Sequence, residues 1–320
     1  MKRSVEKMKG WRGHVQTVWP FLKERVQGVE GPPARWWETE VPNEFGVPVV
    51  RAGMASPGRD RSRLVVLLHG MGGSPEAGYC AAAARVFAAM GIATLRLSLR
   101  GADGRGGDLH HAGFVDDLGP ILSSDPWSQY DHVALMGFSL GGHVSLRAAA
   151  EGVNERIRAV VAVSSPLNLK AAQEWIDRPA GWVYREAILG TLRGIYPRLY
   201  AGVGGLVEGM PPVSRVQQAR TIRAWDALTV VPRFGFADVE EYYRTQSVGP
   251  RLATQKVPSL VVVSPEDPMI PADSLRGPLG RASKAVEAWW VEGGGHVYLP
   301  EKPGGPWTEK IAHWVEAHLT

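Results

Sequence analysis

Short apolar, β-branched runs alternate with glycine-rich turns and alanine-rich stretches along the first half of the chain. Leu64–Leu68 leads into His69-Gly-Met-Gly-Gly73, and Glu76–Met90 then carries helical spacing. Ile92–Leu97 reads as the next strand, followed by a glycine-rich loop at Gly101–Gly107, a helix-spaced stretch at His111–Leu122 and a strand at Asp131–Met136. Gly137-Phe-Ser-Leu-Gly-Gly142 turns the chain into a helix that ends near Glu151-Gly152. Continuous apolar runs, rather than strict alternation, predict strands buried on both faces, as in a parallel sheet. Upstream, Trp36–Val41 and Val47–Ala52 predict antiparallel edge strands.

Ile157–Val163 and Val257–Val263 are strands of the same buried type, yet about ninety residues separate them, far more than a connection needs. Within that gap Lys170–Tyr243 is rich in Trp, Tyr, Arg, Pro and Gly and shows helical patches without strand-like runs. It predicts a helical cap. Lys284–Val291 is a last strand, and Pro306–Leu319 a closing helix with Ile311, Trp314, Val315 and Leu319 on one face. Alternation of this kind predicts an α/β fold with a mostly parallel central sheet, helices on both faces and a helical cap insertion. The expected core is 1–164 with 257–320, of which 1–34 is an N-terminal arm, and the cap is 165–256.

Composition narrows the chemistry. The 320 residues are 44% hydrophobic and 21% charged, as in ordinary globular proteins. Cys80 is the single cysteine, which excludes an intramolecular disulfide, a Cys-x-x-Cys pair and a multi-cysteine zinc site. It falls in the helix after the first glycine turn and reads as a packing residue. The formal charge of +4 is modest; Lys2, Arg3, Lys7, Lys9 and Arg12 cluster near the start, but only Trp11 is interleaved with them. Nucleic acid is therefore not an expected partner, while weak contact with a membrane surface is compatible with the cluster. Met1–Pro20 contains no continuous apolar region and the longest apolar runs are strand-length, so the expectation is a cytoplasmic protein without stable membrane insertion.

The strongest chemical signal is Gly137-Phe138-Ser139-Leu140-Gly141, a G-x-S-x-G between a predicted strand and a predicted helix. A serine hydroxyl needs a base within reach and a third group to orient that base. The acid is expected after the strand ending at Ser264, where Pro265-Glu-Asp-Pro268 offers Asp267, favoured over Glu266 by its Asp-Pro turn. The base is expected in Glu292-Gly-Gly-Gly-His296, a loop flexible enough to swing an imidazole toward Ser139. Developing oxyanion charge calls for backbone donors, and the N–H groups of Leu140 and Met71 occupy the expected positions. The competing reading of Ser139 is a helix cap. His143, His313 and His318 read as packing or surface residues, and His110-His111 lacks a metal-binding spacing, so no metal is expected. No Walker pattern and no G-x-G-x-x-G occurs, so no nucleotide or other cofactor is expected.

With these residues in place the sequence resembles the α/β-hydrolase superfamily and, more narrowly, its YheT-like branch, related to abhydrolase-domain esterases and lipases. The narrower resemblance rests on Gly13-His-Val-Gln-Thr-Val-Trp-Pro20, His69-Gly-Met-Gly-Gly-Ser74, Gly137-Phe-Ser-Leu-Gly-Gly142 and Gly235-Phe-Ala-Asp-Val-Glu-Glu-Tyr-Tyr243. It implies a triad of Ser139, Asp267 and His296 and an esterase- or lipase-like activity on uncharged acyl esters. The favoured reading is a serine hydrolase that cleaves a small-molecule carboxylic ester through an acyl-enzyme, with a short to medium acyl chain expected. Departures occur at Trp225-Asp-Ala227, at His69-Gly-Met-Gly72 and in the glycine-rich loop, none of them in that triad. Asp226, Asp238, Tyr243, His14 and Gln16 read as structural contacts between cap and core. Acyl transfer, thioester or amide hydrolysis by the same triad, and a non-catalytic ligand-binding protein on the same fold, remain open at the level of sequence.

Overall fold

The computed structural model describes residues 12–19, 28–43, 46, 48–105, 108–202, 209–299 and 307–319. Eight strands among them form one sheet: β1 (Arg35–Pro42), β2 (Pro48–Ser56), β3 (Asp60–Leu68), β4 (Ile92–Leu97), β5 (His132–Phe138), β6 (Ile157–Val163), β7 (Ser259–Val263) and β8 (Val286–Trp290). Their spatial order is β1-β2-β4-β3-β5-β6-β7-β8. The β1–β2 and β2–β4 pairs are antiparallel and the other five pairs parallel. The expected antiparallel pair upstream is present, but only β1 lies at an edge. The second strand is interior because Gly53–Ser56 pairs with β4.

Helix α1 (12–19) precedes the sheet, and α2 (Gly78–Ala89), α3 (Leu118–Ser123) and α4 (Leu140–Ala150) follow β3, β4 and β5. Between β6 and β7 come α5 (Leu169–Asp177), α6 (Trp182–Gly202), α7 (Val213–Val216), α8 (Ile222–Leu228), α9 (Val230–Arg233) and α10 (Val239–Gln246). Helix α11 (Asp273–Gly280) joins β7 to β8, and α12 (Trp307–His318) follows the last strand. The continuous apolar runs are explained by two-sided burial. Leu64, Val66 and Leu68 of β3 join the core on the α3 and α4 face, while Val65 and Leu67 pack with Phe87 of α2 and Ile311 of α12 on the other. The helical insertion has a core of its own, with Leu189, Tyr196 and Trp225 at its centre, and half-buried Met71 packs against it.

One predicted helix is largely absent. Of His111–Leu122 only the stretch from Leu118 is helical, the rest being turns. Its backbone donors are taken elsewhere: Ala112 N–H donates to the Tyr242 hydroxyl and Gly113 N–H to His111 Nδ1. Asp117 is held by Arg51 and Arg100, so this segment follows a buried ion network rather than helical hydrogen bonds. The described part of the expected N-terminal arm contains α1. The cluster of Lys2, Arg3, Lys7 and Lys9, and Gly106-Gly107 of the glycine-rich loop, lie outside the described residues.

The strand order reverses between β3 and β5, because the chain goes outward from β3 to β4 and then returns to the other side of β3. Loops leaving the carboxyl ends of β3 and β5 therefore diverge and leave a crevice between them, the usual binding position in open α/β sheets.

Candidate active site

Leu68 and Gly137 are register partners at the ends of β3 and β5, so the loop starting at His69 and the turn at Ser139 emerge side by side. Ser139 is the single residue between β5 and α4, and it adopts φ 52° and ψ −119°. A non-glycine residue at positive φ is strained, and such strain concentrates at functional sites. The glycines around it are sterically required: a Cβ at Gly137 would lie 2.1 Å from the Gly141 carbonyl carbon, and one at Gly141 2.2 Å from Leu68 O. Although Ser139 stands at the head of α4, its side chain makes no capping hydrogen bond. The helix-cap reading therefore fails.

The oxyanion-loop candidate is fixed by His69. Its Nε2 accepts from Leu99 N–H at 3.1 Å, leaving Nδ1 to donate to Gly70 O at 2.8 Å. Burial pushes this imidazole down to about 4, consistent with the neutral tautomer that both contacts require. Gly70 abuts the serine, since a Cβ there would lie 3.1 Å from Ser139 Cβ and 3.7 Å from Oγ. The N–H groups of Met71 and Leu140 donate to no described residue, and Leu140 opens α4, where amides are left without helical acceptors.

Asp267 and His296 come together at the ends of β7 and β8. His296 Nδ1 lies 2.9 Å from Asp267 Oδ2 and 3.2 Å from Oδ1, with both residues 7% exposed. Asp267 Oδ1 also accepts from the N–H groups of Met269 and Ile270, which fixes the carboxylate in its turn. Neighbouring Glu266 is half-buried and does not pair with His296. The loop that carries His296 meets the serine turn across the end of β6: Val297 N–H donates to Ser164 Oγ, while Ser139 N–H donates to Val163 O at 2.8 Å. Ser139 Oγ and His296 share no hydrogen bond in this arrangement.

A pocket with about 690 Å³ of empty space, its open mouth included, lies beside the serine turn, lined by Gly70 and Leu140 but not by Ser139, Asp267 or His296 themselves. Gly70, Met71 and Leu140 form one side, and Leu192, Ile195 and Trp225 of the insertion help form the other. Apolar walls around a few polar groups are typical of small-molecule sites.

The remaining candidates separate cleanly. His143 is fully buried between Pro166 O and Gln246 O, at 2.8 and 3.0 Å, and burial pushes it down to about 4. His313 and His318 contact carbonyls of their own helix. His110 and His111 belong to no group that could hold a metal ion, and none of three or more His, Cys, Asp or Glu exists among the described residues. Cys80 is buried in α2. Tyr243 donates to Asp226 Oδ2 at 2.6 Å and Asp238 caps α10, structural contacts that lie within the insertion rather than between cap and core, whereas His14, 2.7 Å from the Tyr184 hydroxyl of α6, does bridge to the insertion. Gln16 differs from expectation. Its Oε1 accepts from Gly294 N–H in the loop that carries His296 rather than joining cap to core.

Two features of the site are not evident from the sequence. One is the role of His69, whose signal was a histidine at a strand end before Gly-Met-Gly-Gly. The other is the buried network in which Arg100 reaches Asp108 and Asp117 while Arg233 of α9 binds both oxygens of Asp108. No local pattern marks it.

Residues 65–306 match the family model described as the alpha/beta hydrolase family. The chain belongs to that family. "Putative esterase YheT" of Escherichia coli (strain K12) is 29% identical over 321 residues, covering 96% of this chain and 91% of that protein, in agreement with the YheT-like branch. The monoacylglycerol lipase of Saccharomyces cerevisiae is 26% identical over 54% of this chain and 39% of its own length. Among solved structures, the Pyrococcus furiosus esterase Pf2001 superposes with a TM-score of 0.57 at 16% identity, covering 90% of this chain and 94% of that one. At that identity the likeness speaks for the fold. No helix among the described residues is long and apolar enough to cross a membrane.

Proposed function

We propose that the protein is a serine hydrolase of carboxylic esters, with Ser139 as nucleophile, His296 as general base and acid, and Asp267 as the group that orients the imidazole. The observation that carries the reading is the backbone of Ser139: a strained serine at the head of a helix whose side chain caps nothing. The Asp267–His296 contact of 2.9 Å supports it, as does the likeness to the "Putative esterase YheT" of Escherichia coli.

In this reaction His296 Nε2 takes the Ser139 Oγ proton as the oxygen attacks the ester carbonyl carbon. The N–H groups of Met71 and Leu140 stabilise the oxyanion. The carbon–oxygen bond to the alcohol then breaks, and the alcohol leaves with the proton from His296. Water, deprotonated by His296, attacks the acyl-enzyme and releases the acid, returning the proton to Ser139 Oγ. The adjoining pocket, with Leu192, Ile195 and Trp225 in its wall, would take the acyl chain.

Ser139→Ala should abolish turnover of p-nitrophenyl butyrate while the melting temperature stays within a few degrees of wild type. Turnover retained in that variant would contradict the proposal.

A further inference from the structure

We propose that α1 is a clamp holding the base loop against the acid loop, with Thr17 and Gln16 as positioning residues for His296. The inference rests on the triad reading above. It accounts for Gly13-His-Val-Gln-Thr17, a motif to which the reaction itself gives no role.

The loop that needs holding is Gly293-Gly294-Gly295, whose first two members adopt φ 78° and 88°. Three consecutive glycines have no side chains with which to anchor themselves and lose the most conformational freedom on ordering. Order must therefore be imposed by neighbours. Thr17 Oγ1 accepts a hydrogen bond from His296 N–H at 2.8 Å and donates its own proton to Gly13 O at 2.7 Å. That donation fixes the hydroxyl rotor, so a lone pair faces the histidine amide. Two residues earlier, Gly294 N–H donates to Gln16 Oε1 at 2.8 Å. From the β7 side, Ser264 Oγ lies 3.0 and 2.9 Å from the carbonyl oxygens of Gly293 and Gly294. Amides on one side and carbonyls on the other are thus both engaged.

Close packing ties the same helical turn to the acid. A Cβ at Gly295 would lie 2.4 Å from Thr17 Oγ1, and a Cβ at Gly13 1.8 Å from the carbonyl oxygen of Glu266, the residue before Asp267. Only glycine at these two positions permits the approach. His14 completes the arrangement from the third side through the Tyr184 hydroxyl. One turn of α1 therefore touches the base loop, the acid loop and the helical insertion. Releasing it leaves Ser139 and Asp267 in place and lets the His296 backbone wander, and an imidazole displaced by about 1 Å can lose about a hundredfold in rate.

The test is steady-state kinetics of the full chain on p-nitrophenyl butyrate for Thr17→Val, Thr17→Ser, Gln16→Met and Gln16→Glu, with a melting curve for each. Thr17→Val and Gln16→Met should lower kcat by about tenfold or more with KM changed less than about twofold. Thr17→Ser and Gln16→Glu keep the acceptor oxygen and should recover kcat to within about threefold of wild type. Wild-type kcat in Thr17→Val and Gln16→Met would overturn the clamp. So would a loss that the serine and glutamate variants fail to recover, since that marks packing rather than positioning. Should Thr17→Val fail to fold, the two Gln16 variants decide alone. Ser139→Ala separates the two claims: activity in that variant removes the triad reading, whereas an inactive Ser139→Ala beside fully active Thr17→Val and Gln16→Met removes only the clamp.

Discussion

Asp267 and Glu266 are adjacent carboxylates with different surroundings, and the difference sets what each substitution should do. Asp267 receives two backbone N–H bonds and the imidazole of His296, whereas Glu266 is engaged through its backbone by Gly13. Asp267→Asn should lower kcat on p-nitrophenyl butyrate by about 10³–10⁴, because an amide cannot hold the imidazole in its working tautomer. Glu266→Gln should remain within about tenfold of wild type, the same assay reading both. Equal losses in the two variants would contradict the assignment. Ser139, Asp267 and His296 were legible because each follows a strand end within a short local signature. Thr17 was legible only as part of a motif, since its contact with His296 spans 279 residues and no local pattern encodes it. His69 was legible as a loop residue but not as the group that locks that loop.

The helices between β6 and β7 are joined to the core by charge as well as by apolar packing. Arg233 of α9 and Asp108 are both fully buried and bind through two contacts of 2.8 and 2.6 Å. Removing Asp108 takes a carboxylate from two buried arginines, so Asp108→Ala should destabilise the protein by about 3–5 kcal/mol, read by urea denaturation. A loss below about 1 kcal/mol would show that Arg233 and Arg100 find other partners or water. Strand positions were well read from sequence because two-sided burial leaves an unbroken apolar run, as in Leu64–Leu68 and Ile157–Val163. His111–Leu122 was misread for the opposite reason. Its apolar spacing is helical, but its backbone donors and Asp117 are claimed by Tyr242, His111 and the arginines, all matters of tertiary structure.

Buried ionisable groups give the entire fold a pH dependence whose sign can be worked out. Burial lowers His69 and His143 to about 4 and His110 to about 3, and it lowers His111 well below its ordinary value. Between about pH 6.5 and 4 the unfolded chain therefore binds protons that the folded chain refuses, and stability falls on acidification. Asp226 acts in the opposite direction. Burial raises it to about 7, so its contribution is complete below about pH 4 and is lost as pH rises through 7. Four histidines outweigh one aspartate, and urea denaturation should show stability decreasing from pH 6.5 to 4. Asp226→Asn keeps an acceptor for Tyr243 and removes the opposing contribution, so its stability relative to wild type should rise from pH 4 to 7. A pH-independent difference between the two proteins would contradict the assignment. The α/β class and the mostly parallel sheet were legible from strand and helix alternation, but the strand order, with its reversal between β3 and β5, comes from packing and had no local mark.

That reversal places a strained, uncapped serine beside a pocket, and the proposed reaction uses this serine as its nucleophile. Mass spectrometry of the folded protein after exposure to a fluorophosphonate tests it most directly. One phosphonyl adduct per chain is expected, mapped to Ser139 in the peptide that contains Gly137-Phe-Ser-Leu-Gly141. An unlabelled folded protein, or an adduct on any other residue, would contradict it.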